Sequence, residues 1–134
     1  MSVKVAINGF GRIGRNILRA SIENNREDIE VVAINDLGSP EMNLHLLKYD
    51  SVHGRFPLEL SLHKNYLKVN NAEIEITAER DPAKLPWSEV DVALECTGIF
   101  TDKDSASLHL KNGSKKVLIS APASNVDRTV VFGV

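Results

Sequence analysis

The sequence predicts an α/β fold: a doubly wound, mainly parallel sheet with a small antiparallel meander inserted in it. Three observations carry this. Short apolar runs alternate with amphipathic helical stretches along the chain. A glycine-rich turn follows the first of those runs directly. Between residues 58 and 76 the periodicity changes to two, and asparagine-bearing turns separate the pieces.

Val3, Val5 and Ile7 alternate with Lys4 and Ala6, the pattern of a first strand. The turn from Asn8 to Gly11 opens a helix over about 11–24. Its apolar face is expected to carry Phe10, Ile13, Ile17 and Ala20, with Arg12, Arg15, Arg19 and Glu23 on another side. Asn24-Asn25 ends it, because both are weak helix formers. Val31 to Ile34 is a continuous apolar run, suited to a parallel strand covered on both faces. Ser39-Pro40 places an N-cap before a proline at the first helical position, so a second helix is expected over 40–48.

Leu58, Leu60 and Leu62, then Tyr66 to Val69, then Ile74 and Ile76 form the three short strands of the meander. His63-Lys64-Asn65 and Asn70-Asn71 are its turns, since asparagine tolerates positive φ. Val90, Val92 and Leu94 form a strand ending at Glu95-Cys96-Thr97-Gly98. A helix over about 102–111 follows, with Ala106 and Leu110 on one face. Strands at 117–119 and 130–132 complete the pattern, with right-handed crossovers.

The chain has 134 residues, 43% hydrophobic and 25% charged. Those values fit one folded domain over residues 1–134 and exclude a disordered chain. The net charge of −2 lacks the concentrated positive face that nucleic acid demands. No apolar stretch reaches the ~20 residues that cross a bilayer, and the N-terminus has no signal-peptide pattern. Neither a nucleic-acid nor a membrane partner is expected. A single cysteine, Cys96, cannot form an internal disulfide, and its apolar strand end suits a buried, inert thiol. A cytoplasmic location is the expectation. His45, His53, His63 and His109 lack metal-ligand spacing and read as structural or surface residues, so no metal is expected.

Gly9-Phe10-Gly11-Arg12-Ile13-Gly14 is a G-x-G-x-x-G set after a strand and at the opening of a helix. That placement marks the dinucleotide-binding turn of a Rossmann fold. Gly9 permits the tight turn, Gly11 lets a pyrophosphate approach the backbone, and Gly14 lets helix and strand pack closely. The N–H groups of Arg12 and Ile13 face that pyrophosphate at the positive end of the helix. The Arg12 side chain either adds charge there or is solvated. Asp36 ends the second strand, twenty-two positions after Gly14. It is placed to accept from both ribose hydroxyls of an adenosine and to repel a 2′-phosphate, which favours NAD over NADP. Its alternative reading is a helix cap. Thr97, Gly98 and Ser120 follow strand ends and are either cofactor contacts or plain turn residues. By spacing alone Arg80 is a surface ion-pair partner.

Five ordered segments are similar to those of the phosphorylating glyceraldehyde-3-phosphate dehydrogenase family. They are Ile7 to Arg15, Ile34 to Leu37, Leu47 to Phe56, Glu95 to Thr101 and Lys116 to Pro122. The resemblance implies NAD as cofactor, with Asn8, Gly9 and Gly11 among its binding residues, Arg12 and Ile13 holding the pyrophosphate and Asp36 on the adenosine ribose. It implies Arg80 on the adenine side, Thr97, Gly98 and Ser120 along the nicotinamide half, and no catalytic role for Cys96. It further implies a cytoplasmic homotetramer that oxidises glyceraldehyde 3-phosphate with NAD⁺ and inorganic phosphate to 1,3-bisphosphoglycerate. A cysteine thiolate and a histidine base do that chemistry in the family. The segment bearing them is not among these residues, so the catalytic domain is expected elsewhere and these residues alone are expected to be inactive. Two alternatives stand beside this reading: an erythrose-4-phosphate dehydrogenase, and a stand-alone nucleotide-binding module.

Overall fold

The computed structural model describes residues 3–23, 28–50, 54–55, 60–63, 65–69, 72–97 and 107–120. In chain order the elements are β1 (Val3–Asn8), α1 (Arg12–Glu23), β2 (Ile29–Asn35), α2 (Pro40–Lys48), β3 (Tyr49–Asp50) and β4 (Gly54–Arg55). Then come β5 (Leu60–His63), β6 (Tyr66–Val69), β7 (Ala72–Thr77), a 3₁₀ turn (Pro82–Lys84), β8 (Val92–Glu95), α3 (Leu108–Lys111) and β9 (Lys116–Ile119).

Seven of the strands form one sheet in the order β5-β6-β7-β2-β1-β8-β9. The five from β7 to β9 in that order are parallel neighbours. The order runs outward from β1 in both directions, as doubly wound sheets do, and the switch between β1 and β8 is where such sheets bind ligands. β5, β6 and β7 are the antiparallel meander. It is continuous with the main sheet, because β7 also pairs in parallel with β2 through Ala33 and Glu75.

β1 explains why the sheet is covered on both faces. Val5 and Ile7 point to a cluster with Phe10, Leu18, Ile34, Leu67 and Ile74. Ala6 points the other way, to a cluster with Ala33, Leu85, Trp87, Val90 and Ala93. Each large apolar side chain buried this way contributes roughly 1.5–3 kcal/mol. The small alanines on the second face leave room for Trp87, which is 1% exposed.

Two helical faces differ from expectation. In α1 the buried residues are Gly14, Leu18 and Arg19, whereas Ile13 is 51% exposed and Ala20 is exposed. Gly14 must face the sheet, since only a residue without Cβ fits there, and the i, i+4 spacing then turns Leu18 inward. Arg19 is buried with them, and its Nη1 donates to the Leu47 carbonyl at 3.3 Å. In α3 the inward residue is His109, fully buried, while Leu110 is 51% exposed. Ser39 caps α2 as expected: its Oγ accepts the Met42 N–H at 3.0 Å. The expected strands at 58 and 130–132, the 102–106 part of a helix, and the turns at 64 and 70–71 lie outside the described residues.

Candidate dinucleotide site

Parallel strands deliver their C-terminal ends to one edge of the sheet. Gly9 to Ile13 follow β1, Asp36 follows β2, Arg80 follows β7, Thr97 follows β8 and Ser120 follows β9. All of these expected site residues therefore share the edge where a doubly wound sheet takes its ligand. Gly98 lies outside the described residues, and nothing is described of the Arg12 side chain.

Three glycines of the turn do three different jobs. Gly9 has φ +94°, and a Cβ on it would lie 2.8 Å from Thr97 Cγ2. A Cβ on Gly14 would collide with the Gly9 carbonyl oxygen and lie 3.1 Å from Ile7 Cγ2. A Cβ on Gly11 would meet nothing within 4 Å. The space above Gly11 is open, while the turn on either side of it is close-packed. That is the shape a bound pyrophosphate needs.

The N–H inventory says which donors are left for such a ligand. Gly9 N–H is used by the Asn35 carbonyl at 2.7 Å, and Phe10 N–H by Asp36 Oδ1 at 2.9 Å. Arg15 N–H makes the first bond of α1, to the Gly11 carbonyl at 2.9 Å. The Arg12, Ile13 and Gly14 N–H groups precede it and have no acceptor within the helix. Arg15 braces the turn as well, donating from Nη1 to the Phe10 carbonyl at 3.1 Å.

Asp36 is half-buried at the end of β2. Besides Phe10 N–H, its Oδ2 accepts the Gly38 N–H at 2.9 Å and Asn43 Nδ2 at 3.0 Å. Three of about four acceptor positions of a carboxylate are in use, leaving one on Oδ1. Accepting from both ribose hydroxyls therefore requires Oδ2 to exchange one of its partners. The cap of α2 is Ser39, so Asp36 is not a helix cap. Arg80 is exposed and makes no ion pair among the described residues.

The structure places the Asn8 side chain inside the fold. It is 3% exposed, its Nδ2 donates to Glu95 Oε1 at 2.6 Å, and its Oδ1 accepts from Asn35 Nδ2 at 2.8 Å. Its side chain lies beneath the turn and supports it, rather than facing a ligand. Ser120 N–H and Oγ both bond the Glu95 carbonyl, at 3.1 and 3.2 Å. Cys96 packs against the core behind them. Burial pushes its thiol up, a hydrogen bond from Ser120 opposes that in part, and the Glu95 charge adds a lesser push upward. A protonated thiol is a poor nucleophile.

Sequence reasoning missed the buried polar layer under the edge. Asn35 Oδ1 accepts from Thr77 Oγ1 at 2.7 Å and from Glu79 N–H at 2.8 Å. Glu95 carries the layer on through His109, whose Nε2 lies 2.8 Å from Oε1. Trp87 stacks on that imidazole with centroids 5.4 Å apart and planes 8° apart. The readable signal was a glutamate closing an apolar strand, a position that tolerates charge only when donors surround it.

The comparisons agree with this geometry. The family described as "Glyceraldehyde 3-phosphate dehydrogenase, NAD binding domain" matches residues 3–103. The glyceraldehyde-3-phosphate dehydrogenase of Cereibacter sphaeroides is 60% identical over 134 residues, covering 100% of this chain and 40% of that protein. The protein of the same name from Xanthobacter flavus is 62% identical, covering 100% of this chain and 41% of its own length. That of Geobacillus stearothermophilus is 57% identical, again over 100% of this chain and 40% of its own. The chain thus spans about two fifths of the length of these relatives. It belongs to the family of glyceraldehyde 3-phosphate dehydrogenase NAD-binding domains, and its cofactor is NAD.

Proposed function

We propose that this chain is the cofactor-binding part of a phosphorylating glyceraldehyde-3-phosphate dehydrogenase. The whole protein is a cytoplasmic homotetramer taking glyceraldehyde 3-phosphate, NAD⁺ and inorganic phosphate to 1,3-bisphosphoglycerate. The observation that carries the cofactor role is the open space above Gly11, in a turn whose Phe10 N–H is held by Asp36 and whose Gly9 packs against Thr97. NAD, when bound, supplies the hydride acceptor for aldehyde oxidation.

This chain's own residues bind and orient. Backbone N–H groups of Arg12 and Ile13 hold the pyrophosphate at the positive end of α1. Asp36 takes the adenosine ribose through its remaining acceptor position, and its charge disfavours a 2′-phosphate. Arg80 lies on the adenine side. Thr97, Gly98 and Ser120 border the nicotinamide half. Cys96 stays protonated behind them and attacks nothing.

Dehydrogenase assays of the full-length protein test this reading. NADH formation with glyceraldehyde 3-phosphate that depends on phosphate supports it. Preference for erythrose 4-phosphate, or no dependence on phosphate, contradicts it. The 134 residues alone are expected to show no turnover.

A further inference from the structure

Glu95 closes β8 with its side chain 1% exposed. A carboxylate in that position is destabilising unless donors surround it. Four groups converge on it. Asn8 Nδ2 at 2.6 Å and His109 Nε2 at 2.8 Å reach Oε1. The Thr97 N–H at 3.1 Å and the Thr97 hydroxyl reach Oε2.

Backbone groups at the two ends of the layer orient every polar side chain in it. At one end Ser114 N–H points at Asn112 Oδ1 from 3.1 Å, so Asn112 Nδ2 is the atom facing the Pro82 carbonyl at 2.9 Å and His109 Nδ1 at 3.2 Å. A ring nitrogen that faces an amide N–H accepts, so the imidazole hydrogen sits on Nε2 and points at Glu95. At the other end Glu79 N–H points at Asn35 Oδ1 from 2.8 Å. Asn35 Nδ2 then donates to Asn8 Oδ1 at 2.8 Å, and Asn8 Nδ2 donates to Glu95. The Asn8 amide, the His109 Nε2–H and the Thr97 N–H are fixed donors to the carboxylate, and the Thr97 hydroxyl can turn its hydrogen to Oε2 as the fourth. The group is an ion with its hydrogen bonds satisfied.

What that ion holds lies at the ligand edge. Thr97 packs against the Gly9 turn so closely that a Cβ on Gly9 would be 2.8 Å from its Cγ2. Asn8 immediately precedes that turn. In the strand order, Asp36 serves the half of the dinucleotide over β2, and α1 serves the pyrophosphate. The other half falls over β8 and β9, where Thr97 and Ser120 stand. We propose that Glu95 is a positioning residue for the nicotinamide half of the cofactor, acting through Thr97 and, by way of Asn8, through the Gly9 turn. This rests on the NAD reading above.

Glu95→Gln is nearly isosteric, yet its amide NH₂ must face either the Asn8 and His109 donors or the two Thr97 donors. The test is calorimetric titration of the intact protein with NAD and, separately, with AMP, which carries only the adenosine side. Glu95→Gln is expected to weaken NAD binding about tenfold or more, since bonds to a charged group are lost. AMP affinity is expected to stay within about twofold, because that half is held at a distance by Asp36. Should Glu95→Gln not fold, Thr97→Val keeps the shape and removes one donor. It is expected to lose about threefold to tenfold in NAD affinity with AMP unchanged, and Thr97→Ser is expected to restore it. Equal losses for NAD and AMP, or no loss for either, overturn the proposal. A folded wild-type protein that binds AMP but gains nothing from the rest of NAD overturns the cofactor reading itself.

Discussion

Asp36 Oδ1 accepts the Phe10 N–H at 2.9 Å, so the end of β2 is tied to the glycine turn that follows β1. One carboxylate thereby orders the turn and, in the proposed site, presents its charge to the ribose. Asp36→Ala removes both effects. NAD affinity is expected to fall by roughly 1–3 kcal/mol, the range for a lost bond to a charged group. Calorimetry measures it, and an unchanged affinity removes Asp36 from the site.

The glycines of the turn separate stability from binding. Gly14→Ala drives a methyl into the Gly9 carbonyl oxygen, and α1 must move off β1. Unfolding free energy is expected to drop by roughly 1–3 kcal/mol in urea titrations, as overpacking does. Gly11→Ala places its methyl in open space. Its stability is expected to change by no more than about 1 kcal/mol, while NAD affinity falls about tenfold or more as the methyl occupies the pyrophosphate position. The reverse pattern would mean the two glycines have exchanged roles.

His109 gives Glu95 one of its four donors and lies against Trp87. His109→Ala removes the stack and leaves a shortfall of one bond at a buried ion. The expected destabilisation is roughly 2–4 kcal/mol. Trp87 is the single tryptophan and is buried, so its fluorescence reports the unfolding directly.

The same carboxylate sets a pH dependence. Burial alone would raise the Glu95 carboxyl, but hydrogen bonds from His109, Thr97 and Asn8 outweigh it and hold the group below its ordinary 4.5. A carboxyl depressed in the folded state contributes stability above its unfolded value and loses it as the pH falls through the folded value. The wild-type protein is therefore expected to keep this contribution at neutral pH and lose it progressively below about pH 4.5. Glu95→Gln, once folded, should show a shallower loss over that acid range. Parallel acid titrations of the two proteins make the comparison, and equal slopes would contradict it.

The parts of the fold that could be read in advance were those set by local rules. Alternation located β1, the continuous run located β2, and Ser39-Pro40 located the start of α2. The glycine spacing was legible because each glycine answers a local steric demand: Gly9 and Gly14 are close-packed, and Gly11 is open. Helical faces were harder. Choosing Ile13 over Leu18 as an inward residue followed the helical spacing from Phe10, whereas the structure follows Gly14, whose contact with the Gly9 carbonyl sets the rotation of α1. The buried bonds of Asn8 were equally out of reach. Its partner Glu95 is 87 positions away, and no local pattern announces a bond of that range. His109 stood among scattered histidines until β8 and α3 were brought together.

The central claim is that the edge formed by Gly9 to Ile13, Asp36 and Thr97 is a site for NAD and not for its 2′-phosphorylated form. Titration of the folded protein with NAD and with NADP tests it most directly. The structure predicts saturable binding of one NAD per chain, with NADP weaker by about tenfold or more through repulsion at Asp36. Equal affinity for the two, or no NAD binding by folded protein, would contradict it.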